Sequence, residues 1–150
     1  MKTQTFYLAY GSNLNVEQMN WRCPGADILG TSVIHDYELV FRRGVLTIEP
    51  KQGSCVPVGV WAIDMYDEAA LDVYEGYPRM YRKEYMNVEL DDETISALVY
   101  VMNDGRKIMP PSTTYFKTCV RGYRDFGFPT KPLVEKANEA LHIARMNGDI

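Results

Sequence analysis

The chain has 150 residues, of which 46% are hydrophobic and 24% are charged, and its formal net charge is −4. This length supports one ordinary hydrophobic core and is too short for two, so we predict a single domain over residues 1–150. The negative charge provides no electrostatic footprint for nucleic acid or for an anionic membrane surface, and we predict neither as a partner.

The cysteines and histidines do not form a metal-binding pattern. Cys23, Cys55 and Cys119 are widely spaced and include no C-x-x-C pair, so we predict buried small side chains rather than disulfides or zinc ligands. His35 and His142 belong to no metal-binding motif, and we predict no metal. The N-terminus has no apolar segment typical of a signal peptide or membrane span, which predicts a cytoplasmic location.

The chain opens with an apolar run over residues 6–9, which predicts a strand, and Tyr10-Gly11-Ser12-Asn13-Leu14 follows it. Gly11 can adopt a positive φ and leave backbone N–H groups uncovered, while Ser12 and Asn13 suit a turn that caps a helix over residues 16–22. Uncovered N–H groups at a helix start bind anions. The same residues are also typical of an ordinary strand-to-helix connection. Ser12 is not in a G-x-S-x-G elbow, which disfavours a serine nucleophile.

Further strands are predicted at residues 28–34, 38–43, 45–49, 56–63, 84–90 and 95–102. Residues 84–90 alternate polar and apolar side chains, and Asp91-Asp92-Glu93 predicts a turn into the next strand. This pattern favours an antiparallel hairpin with one solvated face.

A short helix is predicted between these strands, from Asp67 to Glu75, with Gly76 at a left-handed C-cap position. A carboxylate in the last helical turn faces the negative end of the helix dipole, which costs roughly 0.3–1 kcal/mol. Departures from such local rules often mark functional sites. In the alternative, Glu75 is a surface residue paired with a nearby cation: Arg79, Arg82 or Lys83.

Two helices are predicted after the last strand. Ser112 can cap the first, which carries Tyr115 on its apolar face, a position more typical of core packing than of ligand contact. The second has Thr130 as its N-cap candidate, an apolar stripe that would cover the sheet, and Gly148 beyond its end. We therefore predict an α+β domain built on a strongly bent sheet or small barrel.

Three motifs taken together resemble the γ-glutamylcyclotransferase-like family: residues 6–14, Leu71-Asp72 before Glu75-Gly76, and Pro111-Ser112 before Tyr115. The match runs from residue 6 to about residue 133 and includes Arg22-Cys23-Pro24. The resemblance implies an α+β fold with a small mixed β-barrel flanked by helices. It also implies a cofactor-free enzyme in which the substrate's α-amine attacks its own γ-carbonyl, which releases 5-oxoproline and a free amine or amino acid.

The resemblance also implies site residues. Glu75 is the expected general acid/base, and its apolar neighbours and the helix C-terminus would raise its pKa. The backbone of the glycine-containing loop would bind the α-carboxylate or the oxyanion, with Gly11 required because any side chain would block that approach. The expected substrate-binding residues are Tyr7, Leu8, Ala9, Tyr10, Gly11, Ser12, Asn13 and Tyr115.

The expected partner is a small γ-glutamyl molecule, and the sequence does not select its leaving group. A γ-glutamyl amino acid, a γ-glutamylamine, glutathione and a γ-glutamyl-protected biosynthetic intermediate all stay open, as does the oligomeric state. A competing hypothesis is a non-catalytic module of the same fold that binds a small carboxylate. A phosphate-binding loop is disfavoured, because no lysine follows Gly11 as in G-K-[ST].

Overall fold

The computed structural model describes residues 4–150. Its strands and helices follow in this order: β1 (Thr5–Ala9), a 3-10 turn (Ser12–Leu14), α1 (Val16–Arg22), β2 (Asp27–Arg42), β3 (Val45–Ile63), α2 (Met65–Glu75), β4 (Tyr81–Leu90), β5 (Glu93–Met102), α3 (Thr113–Asp125) and α4 (Lys131–Met146).

The strands form one mixed sheet of five strands in the order β2-β3-β1-β5-β4. The central strand β1 is antiparallel to β3 and parallel to β5, with Tyr7 opposite Leu98 in the parallel pair. The edge strands β2 and β4 approach each other where the Ser32 hydroxyl donates to the Glu89 carbonyl. No ladder joins these two edges within residues 4–150, so the predicted α+β fold is confirmed, while the term barrel describes the strongly curved, open sheet only loosely.

The hairpin of β4 and β5 is confirmed, with Asp91 and Asp92 in its turn at φ values of 48° and 65°. β2 and β3, in contrast, are each one long strand where the sequence predicted two. Their pairing continues through a register shift between His35 and Tyr37, where Asp36 has a φ of 61°. The Asp36 carboxylate accepts from the Gly53 N–H at 2.9 Å, which ties the irregular part of β2 to β3.

α1 has the predicted bounds, residues 16–22, but its capping residue differs from those predicted. Asn15, rather than Ser12 or Asn13, caps α1, and its side chain accepts from the Gln18 N–H at 3.1 Å. α2 begins two residues earlier than predicted, because Asp64 and Asp67 form a capping box at its start. Its predicted left-handed C-cap at Gly76 is confirmed, with a φ of 66°.

The two C-terminal helices follow the prediction closely. Ser112 caps α3, where its hydroxyl accepts from the Tyr115 N–H at 3.1 Å. Thr130 precedes α4 but forms no side-chain cap, so that part of the prediction is wrong. α4 covers β2, and the Lys136 ammonium of α4 forms an ion pair with the Glu38 carboxylate of β2 at 2.6 Å.

α3 packs directly on the turn that follows β1. Gly122 is buried at this contact, and a Cβ there would lie 2.6 Å from the Asn15 nitrogen and from the Leu14 carbonyl carbon. The Tyr123 hydroxyl donates to the Tyr10 carbonyl at 2.9 Å. The lack of a side chain at Gly122 lets α3 approach the turn closely, and the hydrogen bond from Tyr123 holds it there. The packing of α3 therefore fixes the position of the turn.

The cysteine prediction is correct for Cys23 and Cys119, which are buried, and wrong for Cys55, which is exposed. Cys55 lies opposite His35, beside the irregular pairing of β2 and β3. Within residues 4–150, no cluster of three His, Cys, Asp or Glu side chains is placed to hold a metal ion. No helix in that same range is long and apolar enough to cross a membrane.

Candidate active site

A cavity of about 340 Å³ opens where β1, the 3-10 turn and the C-terminal end of α2 meet. Eight of the predicted site residues line it together: Tyr7, Leu8, Tyr10, Gly11, Ser12, Asn13, Glu75 and Tyr115. Ala9 is buried but does not line the cavity. Residues 7–13, Glu75 and Tyr115 thus meet in one cavity, although they are far apart in the sequence.

Other residues of the wall were not predicted from the sequence. They come from the start of β3, the end of α2, the loop between α2 and β4, and β4 and β5: Val45, Leu46, Val73, Tyr74, Gly76, Met80, Tyr81 and Tyr100. Their place in the wall follows from strand order and register, which bring β3 and β5 to either side of β1. The sequence around Val45 and Leu46 carries no signal for such a role.

The loop after β1 lines the cavity with Gly11, Ser12 and Asn13. The turn is closed by bonds from the Leu14 and Asn15 N–H groups to the Gly11 and Ser12 carbonyls, both at 3.0 Å. The N–H groups of Ser12 and Asn13, the first of the turn, form no hydrogen bond with any group in the described part of the chain. They are therefore unpaired donors in residues that line the cavity.

Gly11 does not adopt the predicted positive φ, since its φ is −129°. A Cβ at Gly11 would lie 3.4 Å from the Tyr115 hydroxyl and 3.5 Å from the Leu46 side chain, which are ordinary contact distances. Both neighbours line the cavity, so a side chain here would occupy cavity space rather than clash with the protein. Glycine at this position leaves that part of the cavity open.

Glu75 lies in the last turn of α2 and is half-buried in the cavity wall. Burial raises the pKa of Glu75 to about 7, and the positive charge of Arg22 opposes part of that rise. The alternative of a surface ion pair is not what the structure has, because Arg82 pairs with Glu84 at 2.8 Å and Lys83 pairs with Glu68 at 2.6 Å.

Asn13 connects Glu75 to the rest of the site. Its Nδ2 donates to Glu75 Oε1 at 3.3 Å and to the Tyr7 hydroxyl at 2.9 Å, while its Oδ1 accepts from the Arg22 guanidinium. The sequence assigned no role to Arg22, although Arg22-Cys23-Pro24 is part of the family resemblance. Its side chain reaches the site from the last turn of α1.

Tyrosines form much of the remaining polar surface. The Tyr115 hydroxyl accepts from the Leu46 N–H at 3.1 Å, and the Tyr81 hydroxyl donates to the Leu46 carbonyl at 2.6 Å. Burial raises the pKa of Tyr7, Tyr81 and Tyr115, so these phenols are neutral at physiological pH. Tyr115 both packs against the core and lines the cavity, which agrees with both interpretations of its sequence position.

The arrangement combines a carboxyl group able to gain and lose a proton near neutral pH with backbone N–H donors and neutral phenols. Such groups suit proton transfer at an amine together with stabilisation of a developing oxyanion.

The chain is similar to several known proteins. The family described as Gamma-glutamyl cyclotransferase, AIG2-like, matches residues 7–117, which is well over half of the chain. The gamma-glutamylcyclotransferases of Bos taurus and Homo sapiens are each 29% identical to this chain over 136 residues. Each match covers 82% of this chain and 72% of the related protein. A solved structure of a gamma-glutamyl cyclotransferase superposes with a TM-score of 0.75 at 25% identity, covering 92% of this chain and 86% of that one. The chain therefore belongs to the Gamma-glutamyl cyclotransferase, AIG2-like family.

Proposed function

We propose that this protein is a γ-glutamylcyclotransferase that converts a small γ-glutamyl compound to 5-oxoproline and a free amine or amino acid. The observation that carries the proposal is the half-buried Glu75 carboxyl, with its pKa raised to about 7, in one cavity with the unpaired N–H groups of Ser12 and Asn13. The names of the related proteins of Bos taurus and Homo sapiens support the same reaction class.

The reaction begins with removal of a proton from the substrate's α-ammonium group. An α-amine has a pKa of about 8, so a carboxylate with a pKa close to 7 is a better-matched base than an ordinary glutamate with a pKa of about 4.3. Glu75 accepts this proton. The free amine nitrogen then attacks the γ-carbonyl carbon, and the new C–N bond closes a five-membered ring.

The attack places negative charge on the γ-carbonyl oxygen. The N–H groups of Ser12 and Asn13 and the Ser12 hydroxyl are the donors that this loop offers to the oxyanion or to the α-carboxylate. The tetrahedral intermediate collapses when the original C–N bond breaks. The Glu75 carboxylic acid returns its proton to the leaving nitrogen, which departs as a neutral amine. The Glu75 carboxylate then takes the second proton from the ring nitrogen, which leaves a neutral lactam, and passes it to the departing amine, which becomes an ammonium ion.

Substrate binding falls to the rest of the predicted set. We propose that Tyr7, Leu8, Tyr10 and Tyr115 wall the glutamyl part of the substrate, and that Ala9 supports the strand beneath them. A cavity of about 340 Å³ lies at the lower end of the range of small-molecule sites, which suits a glutamyl group with a compact leaving group. No cofactor takes part in this scheme.

We propose a cytoplasmic setting for this reaction. Cys23, Cys55 and Cys119 are all free thiols, which is typical of proteins in reducing compartments.

The proposal is tested by incubating the protein with γ-glutamyl amino acids, γ-glutamylamines and glutathione while following 5-oxoproline by mass spectrometry. Glu75→Gln and Glu84→Gln are assayed beside the parent, because Glu84 is a glutamate on β4 that does not line the cavity. Product from the parent and from Glu84→Gln, but not from Glu75→Gln, is the expected result and identifies the leaving group. Absence of product from every substrate, with γ-glutamyl ligands still raising the melting temperature, favours a non-catalytic carboxylate-binding module.

A further inference from the structure

We infer that Arg22 is a positioning residue of this site, which fixes the orientation of the Asn13 carboxamide so that its N–H faces Glu75. The inference rests on the proposed function for its catalytic consequence, and on the contacts of Arg22 for its structural part. Arg22 has no direct hydrogen bond to Glu75 among the described residues, so its positioning role acts through Asn13, in addition to the direct effect of its charge.

The Arg22 guanidinium is held from three sides. One nitrogen, Nη1, donates to Asn13 Oδ1, and the other, Nη2, donates to Gln18 Oε1 at 2.8 Å. Its Cζ lies 3.5 Å from the centroid of the Tyr74 ring, which is a cation–π contact. The Tyr74 hydroxyl in turn shares a hydrogen bond of 2.8 Å with the Ser12 hydroxyl. The side chain thus joins α1, α2 and the turn after β1.

These contacts leave the Asn13 carboxamide one orientation. A guanidinium can only donate hydrogen bonds, so it must face the amide oxygen and not the amide NH₂. With Oδ1 turned to Arg22, Nδ2 points to the Tyr7 hydroxyl and to Glu75 Oε1. A flipped amide would place NH₂ against the guanidinium and the amide oxygen against the Glu75 carboxylate, and both contacts would be repulsive.

The fixed orientation favours the carboxylate form of Glu75, because a carboxylate accepts the Asn13 N–H better than a carboxylic acid does. The groups facing Glu75 from the packed elements are Arg22 of α1, Tyr7 of β1, Tyr10 just after it, Tyr81 of β4 and Tyr115 of α3. The four phenols are kept neutral by burial, so Arg22 is the one charged group among the described residues that shifts the pKa of Glu75. Burial opposed by this cation keeps Glu75 able to start the reaction as a base near neutral pH.

The structural part is tested without substrate, by ¹³C NMR titration of the Glu75 side-chain carboxyl, assigned by its absence in Glu75→Gln. Arg22→Met should raise the titration midpoint by about one pH unit, since both the cation and the fixed Asn13 donor are lost. Arg145→Met is the control, because Arg145 is an exposed arginine at the end of α4, and its midpoint should equal that of the parent. An unchanged midpoint in a folded Arg22→Met protein overturns the inference.

Arg22→Lys separates charge from positioning. The ammonium keeps the positive charge but has no planar fork to hold Asn13 and Gln18 together. We expect a titration midpoint within a few tenths of a pH unit of the parent and a kcat reduced by about 3–10-fold. A kcat equal to that of the parent would mean that charge alone is required and would overturn the positioning role.

The pH profile of kcat/KM distinguishes an effect on the pKa of Glu75 from a loss of structure, because a loss of structure would not shift the profile along the pH axis. The acidic limb should shift upward in Arg22→Met together with the NMR midpoint, so that about tenfold of activity is lost at pH 6.5 and much less at pH 9. An equal loss at every pH would contradict the inference. If the parent forms no 5-oxoproline at all, the proposed function fails, while the NMR titration still decides the role of Arg22.

Discussion

Two carboxylates one helical turn apart on α2, Asp72 and Glu75, have opposite surroundings. Asp72 accepts from the Tyr100 hydroxyl at 2.6 Å and lies 3.0 Å from the Lys83 ammonium, which also contacts Glu68 at 2.6 Å. Glu75 accepts from an uncharged amide at 3.3 Å and has no ion pair among the described residues. The same helix therefore carries one carboxylate whose charge is neutralised and one whose charge is not.

These surroundings indicate different roles for the two carboxylates. The contacts of Asp72 join α2 to β4 and β5, so its charge serves to hold the helix in place. Glu75 at the end of that helix is left with burial as the main influence on its pKa, which rises to about 7. A helix anchored at Asp72 thus carries a carboxyl group of raised pKa in its last turn, and three substitutions test whether the two carboxylates differ in role.

The largest expected effect is on turnover in Glu75→Gln. Glutamine keeps the size and the hydrogen bond with Asn13 but can neither accept nor return a proton, so kcat should fall by about 10²–10⁴-fold. The measurement is the rate of 5-oxoproline formation with the best substrate of the panel, together with the circular dichroism spectrum as a check on folding. Glu84→Gln should stay within about twofold of the parent. Equal losses in the two variants would remove the case for a specific role of Glu75.

Asp72→Asn should show the opposite pattern. The loss of its charge leaves Lys83 with Glu68 alone and weakens the bond from Tyr100, which should lower the free energy of unfolding by about 1–3 kcal/mol. Urea denaturation measures this directly. Turnover in the folded variant should fall less than tenfold, through small displacements of α2.

Glu68→Gln is the matched control for Asp72, because it removes one carboxylate from Lys83 and leaves the contacts of Asp72 intact. Its loss of stability should be the smaller of the two. A turnover in Asp72→Asn as low as in Glu75→Gln, with unchanged stability, would show that Asp72 takes part in the chemistry through Tyr100, which lines the cavity.

The sequence predicted those features that depend on local chemistry. Gly76 follows a helix end and has the left-handed conformation such an end favours, and the Asp91-Asp92 turn joins two strands of alternating pattern. Ser112 caps α3 as its position before a helical pattern predicts. The loop at Gly11 and the end of α2 at Glu75 were identified as one site through the family resemblance, and they line one cavity.

Features that depend on tertiary contact were missed. Asn15 rather than Ser12 or Asn13 caps α1, because Ser12 and Asn13 lie in a 3-10 turn that precedes the helix. The role of Arg22 requires the packing of α1 against α2, which no spacing in the sequence reveals. The continuity of β2 depends on an irregular residue, Asp36, whose conformation is stabilised by its contact with Gly53 on the neighbouring strand.

The smallest expected effect is a pH-dependent gain of stability in Glu75→Gln. A glutamate in an unfolded chain titrates near ~4.3, whereas the pKa of Glu75 in the folded protein is about 7, so between these values the folded state binds more protons. Stability from this group is therefore full below about pH 4 and is lost as the pH rises through 7. Glutamine carries no such cost, and since Glu75 is partly exposed we expect the variant to be more stable than the parent by about 1–2 kcal/mol at pH 8.5, with almost no difference at pH 4. Urea denaturation of both proteins at the two pH values measures it, and an equal difference at both would show that the carboxylate is not destabilised by its site.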